Sequence, residues 1–289
     1  MSGPATDADA SSRPVTAFVL GGGGLLGANE VGMLRALLER GVVPDVVVGT
    51  SIGALNGAVV AAEPSMDGVA RLAELWAGVE SSGIFKGSML GRITTLARTR
   101  THAHANEPLR ALVEREVTVS NIEELRVPFQ CVAASIERAA EHWFTEGPIV
   151  DAVLASSAVP GLLPPVEIDG EHFFDGGLVN SIPVDRAVKL GATLIYVLQV
   201  GRIEQPLSVP ARPWDVGLVA FEIARRHRFA EEMESLPEGV VAHVLPSGED
   251  AGVNELRRQL RYSDFSRVAE RIERAHAATS AFLDSLQTV

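Results

Sequence analysis

Two glycine-flanked segments and one acidic loop in this 289-residue chain have types and spacings that could do chemistry. The first is Gly49-Thr50-Ser51-Ile52-Gly53, a G-x-S-x-G pattern set between the apolar run DVVVG and a helical run. A sharp strand-to-helix turn leaves no room for side chains at its flanks, hence the glycines, and it lifts a serine Oγ above a sheet edge. The N–H of Ile52, at the start of the helix, then faces whatever Ser51 attacks. The chemistry would be nucleophilic attack on a carbonyl. Taken alone, the pattern also reads as a tight connection and nothing more.

The second is FVLGGGGLLG, residues 18–27, where Gly22, Gly24 and Gly27 satisfy the dinucleotide-binding spacing between a strand and a helix. That reading wants an acidic residue at the end of the second strand to bind ribose hydroxyls. Here the second strand runs into Gly49-Thr50-Ser51, and Asp45 stands at its beginning. No Gly-Lys-Ser/Thr phosphate loop occurs either. The glycine loop therefore shares a sheet edge with Ser51, one strand away. Exposed N–H groups beside a nucleophile make an oxyanion hole.

Ser51 also needs a proton acceptor. The chain has seven histidines, and the order serine, aspartate, histidine admits His227, His243 or His276. None of them stands in a loop motif. Asp175 does: Asp169-Gly170 reads as a hairpin turn, Glu171 to Phe174 as the returning strand, and Asp175-Gly176-Gly177 as the loop beyond. Its carboxylate would emerge at a sheet edge among apolar neighbours, where desolvation raises basicity.

Alternating strand and helix signals must position these groups. Strands are expected at Val15–Leu20, Asp45–Gly49, Phe129–Ile136, His142–Thr145, Glu171–Phe174, Thr193–Val200 and Val240–Leu245. Helices are expected at Gly27–Arg40, Ile52–Glu63, Met66–Val79, Pro108–Val117, Ile149–Ser157, Val184–Leu190, Trp214–Ser235 and Phe265–Leu286. Uncharged β-rich runs separated by helices predict a mostly parallel sheet covered on both faces. Residues 1–14, small and polar, read as a disordered tail rather than a signal peptide, and 15–289 as one domain.

A net charge of −12 speaks against nucleic acid as a partner. The single Cys131 forbids an intrachain disulfide and reads as core. No spacing of His, Cys or acidic residues suggests a metal site, no calcium loop occurs, and no cofactor is expected. The uncharged run Val46–Ala62 is too short to span a membrane, so a cytoplasmic protein is expected. Within 84–100, Lys86, Arg92, Arg98 and Arg100 interleave with apolar residues and no acid. This segment reads either as a solvated helix face or as a lid making peripheral membrane contact.

The glycine loop, the elbow, ASSAVPGLLPPVEIDG (155–170) and Asp175-Gly-Gly, in this order, resemble the patatin-like phospholipases over Val15 to Val200. The resemblance implies a three-layer α/β fold and lipid acyl hydrolysis by a serine–aspartate dyad without histidine. It implies Ser51 as nucleophile, Asp175 as base, and Gly22, Gly23 and Gly24 as oxyanion donors beside Ile52. Residues 201–289 fall outside it and read as helical cover with one added strand. The family's loop continues with a small residue and a cation where this chain has Leu25 and Leu26. That departure favours neutral acyl esters over phospholipids. Two other readings stay open here: a Ser-His-Asp esterase on another α/β fold, and a catalytically weak lipid-binding protein.

Overall fold

The computed structural model describes residues 13–82, 105–200, 206–207, 209–210, 213–248 and 267–286. Short runs rich in β-branched and aliphatic residues form its central parallel strands. β1 (Thr16–Leu20) lies between β2 (Val46–Thr50) and β7 (Leu194–Leu198), parallel to both. β3 (Phe129–Ser135) extends the parallel array beyond β2, and β8 (Val241–Val244) extends it beyond β7. Three antiparallel strands complete the eight: β4 (Ala140–Phe144) and β6 (Glu171–Asp175) pair with β3, and β5 (Val166–Ile168) pairs with β6. The sheet is mostly parallel, as the alternating pattern predicts.

Among the described residues the helices are α1 (Ala28–Glu39), α2 (Ile52–Ala62), α3 (Met66–Ser82), α4 (Glu107–Glu116), α5 (Ile149–Ser156), α6 (Val184–Lys189), α7 (Pro213–Glu234) and α8 (Val268–Leu286). They cover both faces, because side chains alternate across a strand. Phe18, Leu20, Val47 and Phe129 enter one buried cluster with α1 to α5 and α8. Ala17, Val19, Val46, Val48, Ile195 and Val197 enter another with α6 and α7. The result is three layers. Cys131 is buried in the first cluster.

The pairing register brings distant residues together. Val132 pairs with Thr50 of β2 and with Trp143 of β4, so β2 and β4 flank β3 on opposite edges. Ala133 pairs with Asp175 of β6 and with His142 of β4. β2 and β6 therefore share one edge of β3, end to end. Thr50 and Asp175 face consecutive residues of β3, and Ser51 follows Thr50 directly.

Some boundaries differ from expectation. Asp45 precedes β2 because its carboxylate ties strand ends together: it accepts two bonds from the Arg13 guanidinium, and the Thr16 N–H at 2.8 Å. Gly24–Gly27 forms a 3-10 turn ahead of α1. Residues 1–12 of the expected tail, and the 84–100 segment, lie outside the described residues.

Candidate active site

Ser51 occupies φ 56° and ψ −123°, a left-handed conformation that costs a β-carbon-bearing residue roughly 1–3 kcal/mol. Neighbouring bonds hold it there. Its N–H donates to Ser156 Oγ at 2.9 Å. Its carbonyl accepts the Ala54 N–H at 2.9 Å and the Leu55 N–H at 3.3 Å.

The flanking glycines are required by close approach. A Cβ on Gly49 would stand 2.5 Å from the Gly53 carbonyl oxygen, and one on Gly53 would stand 2.3 Å from the Leu20 carbonyl oxygen. Both are shorter than backbone can yield to. Gly49 admits the first turn of α2, and Gly53 admits the end of β1.

Ser51 Oγ donates to Asp175 Oδ2 at 2.6 Å across 124 positions of sequence. The other oxygen, Asp175 Oδ1, accepts the Gly177 N–H at 2.7 Å. Both side chains are buried, at 8% exposure for Ser51 and 6% for Asp175. Burial pushes the Asp175 carboxyl up from 3.8 to about 6, against the opposing pull of the Ser51 hydroxyl and the Gly177 N–H. A carboxyl group in that range is ionised at neutral pH yet basic enough to accept a proton. Gly176 lets this loop lie on β3, since a Cβ there would stand 2.1 Å from the Val132 carbonyl oxygen.

The glycine loop packs against the elbow: a Cβ on Gly22 would touch Ser51 Cβ at 3.5 Å. One expected donor is corrected. The Gly22 N–H is committed to the Ser181 carbonyl at 2.9 Å, a bond that fastens the loop to the segment after Asp175. Gly24 opens the 3-10 turn at φ 56°, and Ile52 opens α2. N–H groups at such starts have no intrahelical acceptor. Gly23 precedes the turn, and a Cβ on it would collide with Val200 Cγ2 at 1.9 Å.

Leu26 is buried at 3% exposure, so the position that departs from the expected cation is a packing position. The candidate histidines are occupied elsewhere. His227 lies on the exposed side of α7 beside Glu231, His243 packs on Tyr196 and Phe282, and His276 bonds Glu39 at 2.6 Å.

Sequence reasoning missed Ser156, which satisfies the strained N–H of Ser51, and the Asn180-Ser181 backbone. The Asn180 carbonyl accepts Thr50 Oγ1 at 2.8 Å, pinning the residue before the serine. Their partners lie 105 and 130 positions away, so no local spacing marks them. Beside Asp175, Leu178 is 48% and Phe221 37% exposed, and Phe221 Cζ lies 3.2 Å from the Cβ position of Gly177. Both are apolar side chains in or against the loop that follows Asp175.

Among the described residues no cluster of His, Cys, Asp and Glu is placed to hold a metal ion, and no helix is long and apolar enough to cross a membrane.

The family model described as Patatin-like phospholipase matches residues 18–188. Patatin-like phospholipase domain-containing protein 7 of Rattus norvegicus is 34% identical over 187 residues, which are 64% of this chain and 13% of that protein. The lysophospholipase nte1 of Aspergillus terreus is 31% identical over 187 residues, 65% of this chain and 12% of that protein. The chain thus corresponds to a small part of these relatives' length. VipD from Legionella pneumophila superposes with a TM-score of 0.47 at 13% identity, over 94% of this chain and 67% of that one. The family match spans the elbow, the glycine loop and the Asp175 loop together, and the chain belongs to the patatin-like phospholipase family.

Proposed function

We propose that the protein is a serine acyl hydrolase that cleaves carboxylic esters of lipids through an acyl-enzyme. The observation that carries this reading is the 2.6 Å bond from Ser51 Oγ to a buried carboxylate, made from a strained elbow. Ser51 Oγ attacks the ester carbonyl while Asp175 Oδ2 takes its proton. The carbonyl electron pair moves to oxygen, where the N–H groups of Gly23, Gly24 and Ile52 hold it. Collapse breaks the ester C–O bond, and the proton on Asp175 passes to the departing alkoxide. Water then attacks the acyl-enzyme, Asp175 accepts its proton, and the returning proton restores Ser51. With the candidate histidines engaged elsewhere, a single carboxylate performs both transfers.

The exposed apolar side chains of Leu178 and Phe221 near the Asp175 loop suit an acyl chain, and the name of the Aspergillus relative favours lysophospholipids among lipid substrates. We further propose one domain over 15–289, since β8 and α8 from its last part complete the sheet and the first core cluster. A cytoplasmic location with peripheral lipid contact fits the same reading.

The test is labelling by a fluorophosphonate, followed by hydrolysis of a p-nitrophenyl ester series beside a phospholipid and a lysophospholipid. Labelling at Ser51 with turnover of at least one class is the expected result. A wild type that neither labels nor turns over any of these substrates refutes the reading.

A further inference from the structure

Behind the glycine loop lies a buried polar network that the proposed mechanism does not use. Glu30 and Asn56 are fully buried and Trp76 nearly so, each on a different helix: α1, α2 and α3. Asn56 Nδ2 donates twice, to the Gly27 carbonyl at 3.0 Å and to Glu30 Oε2 at 2.7 Å. Its Oδ1 accepts Trp76 Nε1 at 3.1 Å. Three of the amide's four hydrogen-bonding capacities are thus used on three different neighbours.

The network's placement gives it a function. Gly27 ends the glycine loop, and Glu30 lies one turn further along α1. Ile52 begins α2 directly after Ser51, and Asn56 lies one turn further along that helix. Asn56 therefore ties the exit of the oxyanion loop to the helix that carries the nucleophile. The contact is close: a Cβ on Gly27 would stand 2.7 Å from both Ile52 Cγ1 and Trp76 Cζ2. The loop's entrance is fixed separately, by the bonds from Gly21 to Leu198 and from Gly22 to Ser181. The Asn56 bond secures its exit.

Glu30 sits where burial disfavours the charged form of its carboxyl. Burial holds its carboxyl well above the usual carboxylate range, outweighing the Asn56 amide. Among the described residues no cation is paired with it, so nothing offsets the desolvation of a charged form. An amide would serve the same geometric purpose.

We propose that Asn56 and Glu30 are positioning residues, which hold the 22–27 loop in register with Ser51 so that its donors meet the oxyanion. The proposal rests on the serine hydrolase reading above. A hydrogen-bonded tie of this kind acts on the transition state, where the donors are used, more than on substrate binding.

The experiment compares Asn56→Ser, Glu30→Gln and Glu30→Met with wild type on p-nitrophenyl butyrate, with urea unfolding of each variant. Asn56→Ser and Glu30→Met are expected to lower kcat about a hundredfold, the scale of losing or misplacing one oxyanion donor. KM should move less than about threefold, since a displaced donor raises the barrier without changing ground-state binding. Glu30→Gln should keep kcat within about twofold, because the glutamine carbonyl can still accept from Asn56. If either Asn56→Ser or Glu30→Met does not fold, the other decides, with Glu30→Gln as its conservative control. Folded Asn56→Ser or Glu30→Met with wild-type kcat overturns the proposal. So does a Glu30→Gln that loses kcat as severely as Glu30→Met. A wild type without esterase activity is a failure of the hydrolase reading instead.

Discussion

Replacing Asp175 by asparagine removes the proposed base and should also reveal what burying it costs. The folded carboxyl titrates at about 6 against 3.8 for an ordinary aspartate. The difference of about 2 pH units corresponds to about 3 kcal/mol, at roughly 1.4 kcal/mol per unit. The sign follows from proton counting. Below the unfolded value Asp175 is protonated in both states, and its stabilising effect relative to an ionised group is fully present. As pH rises from about 4 to about 6, the unfolded chain releases this proton while the native state keeps it, so stability falls. Above about 6 both states are ionised and the loss is complete. The asparagine side chain has no such proton, yet its carbonyl can still accept the Gly177 N–H. Asp175→Asn should therefore match wild type near pH 4 and exceed it by up to about 3 kcal/mol at pH 8. The assay is urea unfolding of both proteins at pH 4, 5, 6, 7 and 8, read as the difference between them, which cancels every other titrating group. The same reasoning predicts wild-type kcat/KM on a neutral ester to fall tenfold per unit below about pH 6, with Asp175→Asn inactive throughout. A stability difference independent of pH, or a variant less stable than wild type at pH 8, would refute the argument from burial.

Further outcomes follow from the same geometry. Ser51→Ala should abolish ester hydrolysis and fluorophosphonate labelling in a protein that still folds, at a cost of no more than about 1–3 kcal/mol in urea unfolding, since Asp175 Oδ2 loses its donor. His227→Ala, His243→Ala and His276→Ala should each keep substantial turnover, and loss of activity in any one that still folds would favour a histidine base. Ser156→Ala leaves the strained Ser51 N–H without its acceptor, and should lose about 1–3 kcal/mol in urea unfolding together with part of kcat. Unchanged stability would mean that this bond does not brace the elbow. Leu26→Arg forces a charge into a packed position and should destabilise by more than about 2 kcal/mol. A stable variant whose kcat/KM ratio shifts toward anionic lipids would place that position at the substrate instead.

The local devices of this site are legible in the order of its amino acids. Gly49, Ser51 and Gly53 announce the elbow because only residues without a Cβ fit at its flanks, within 2.5 Å of neighbouring backbone. Alternating apolar runs and helical periods likewise specify a covered, mostly parallel sheet, because burying both faces leaves no room for charged residues in the strands. Asp175-Gly176-Gly177 could be recognised as a loop after a strand, but its meeting with Ser51 could not be read from spacing. That meeting depends on β2 and β6 sharing one edge of β3 in consecutive register, a pairing across 124 positions. Which glycine N–H groups remain for an oxyanion is likewise a matter of three-dimensional neighbours, since the Ser181 carbonyl claims that of Gly22. The same holds for Leu26, a loop residue in sequence and a buried one in the fold. Glu30 and Asn56 stand in no local motif, and their bonds exist only because three helices enclose them. Local pattern fixes backbone conformation, whereas hydrogen-bond partners and burial are set by which elements become neighbours.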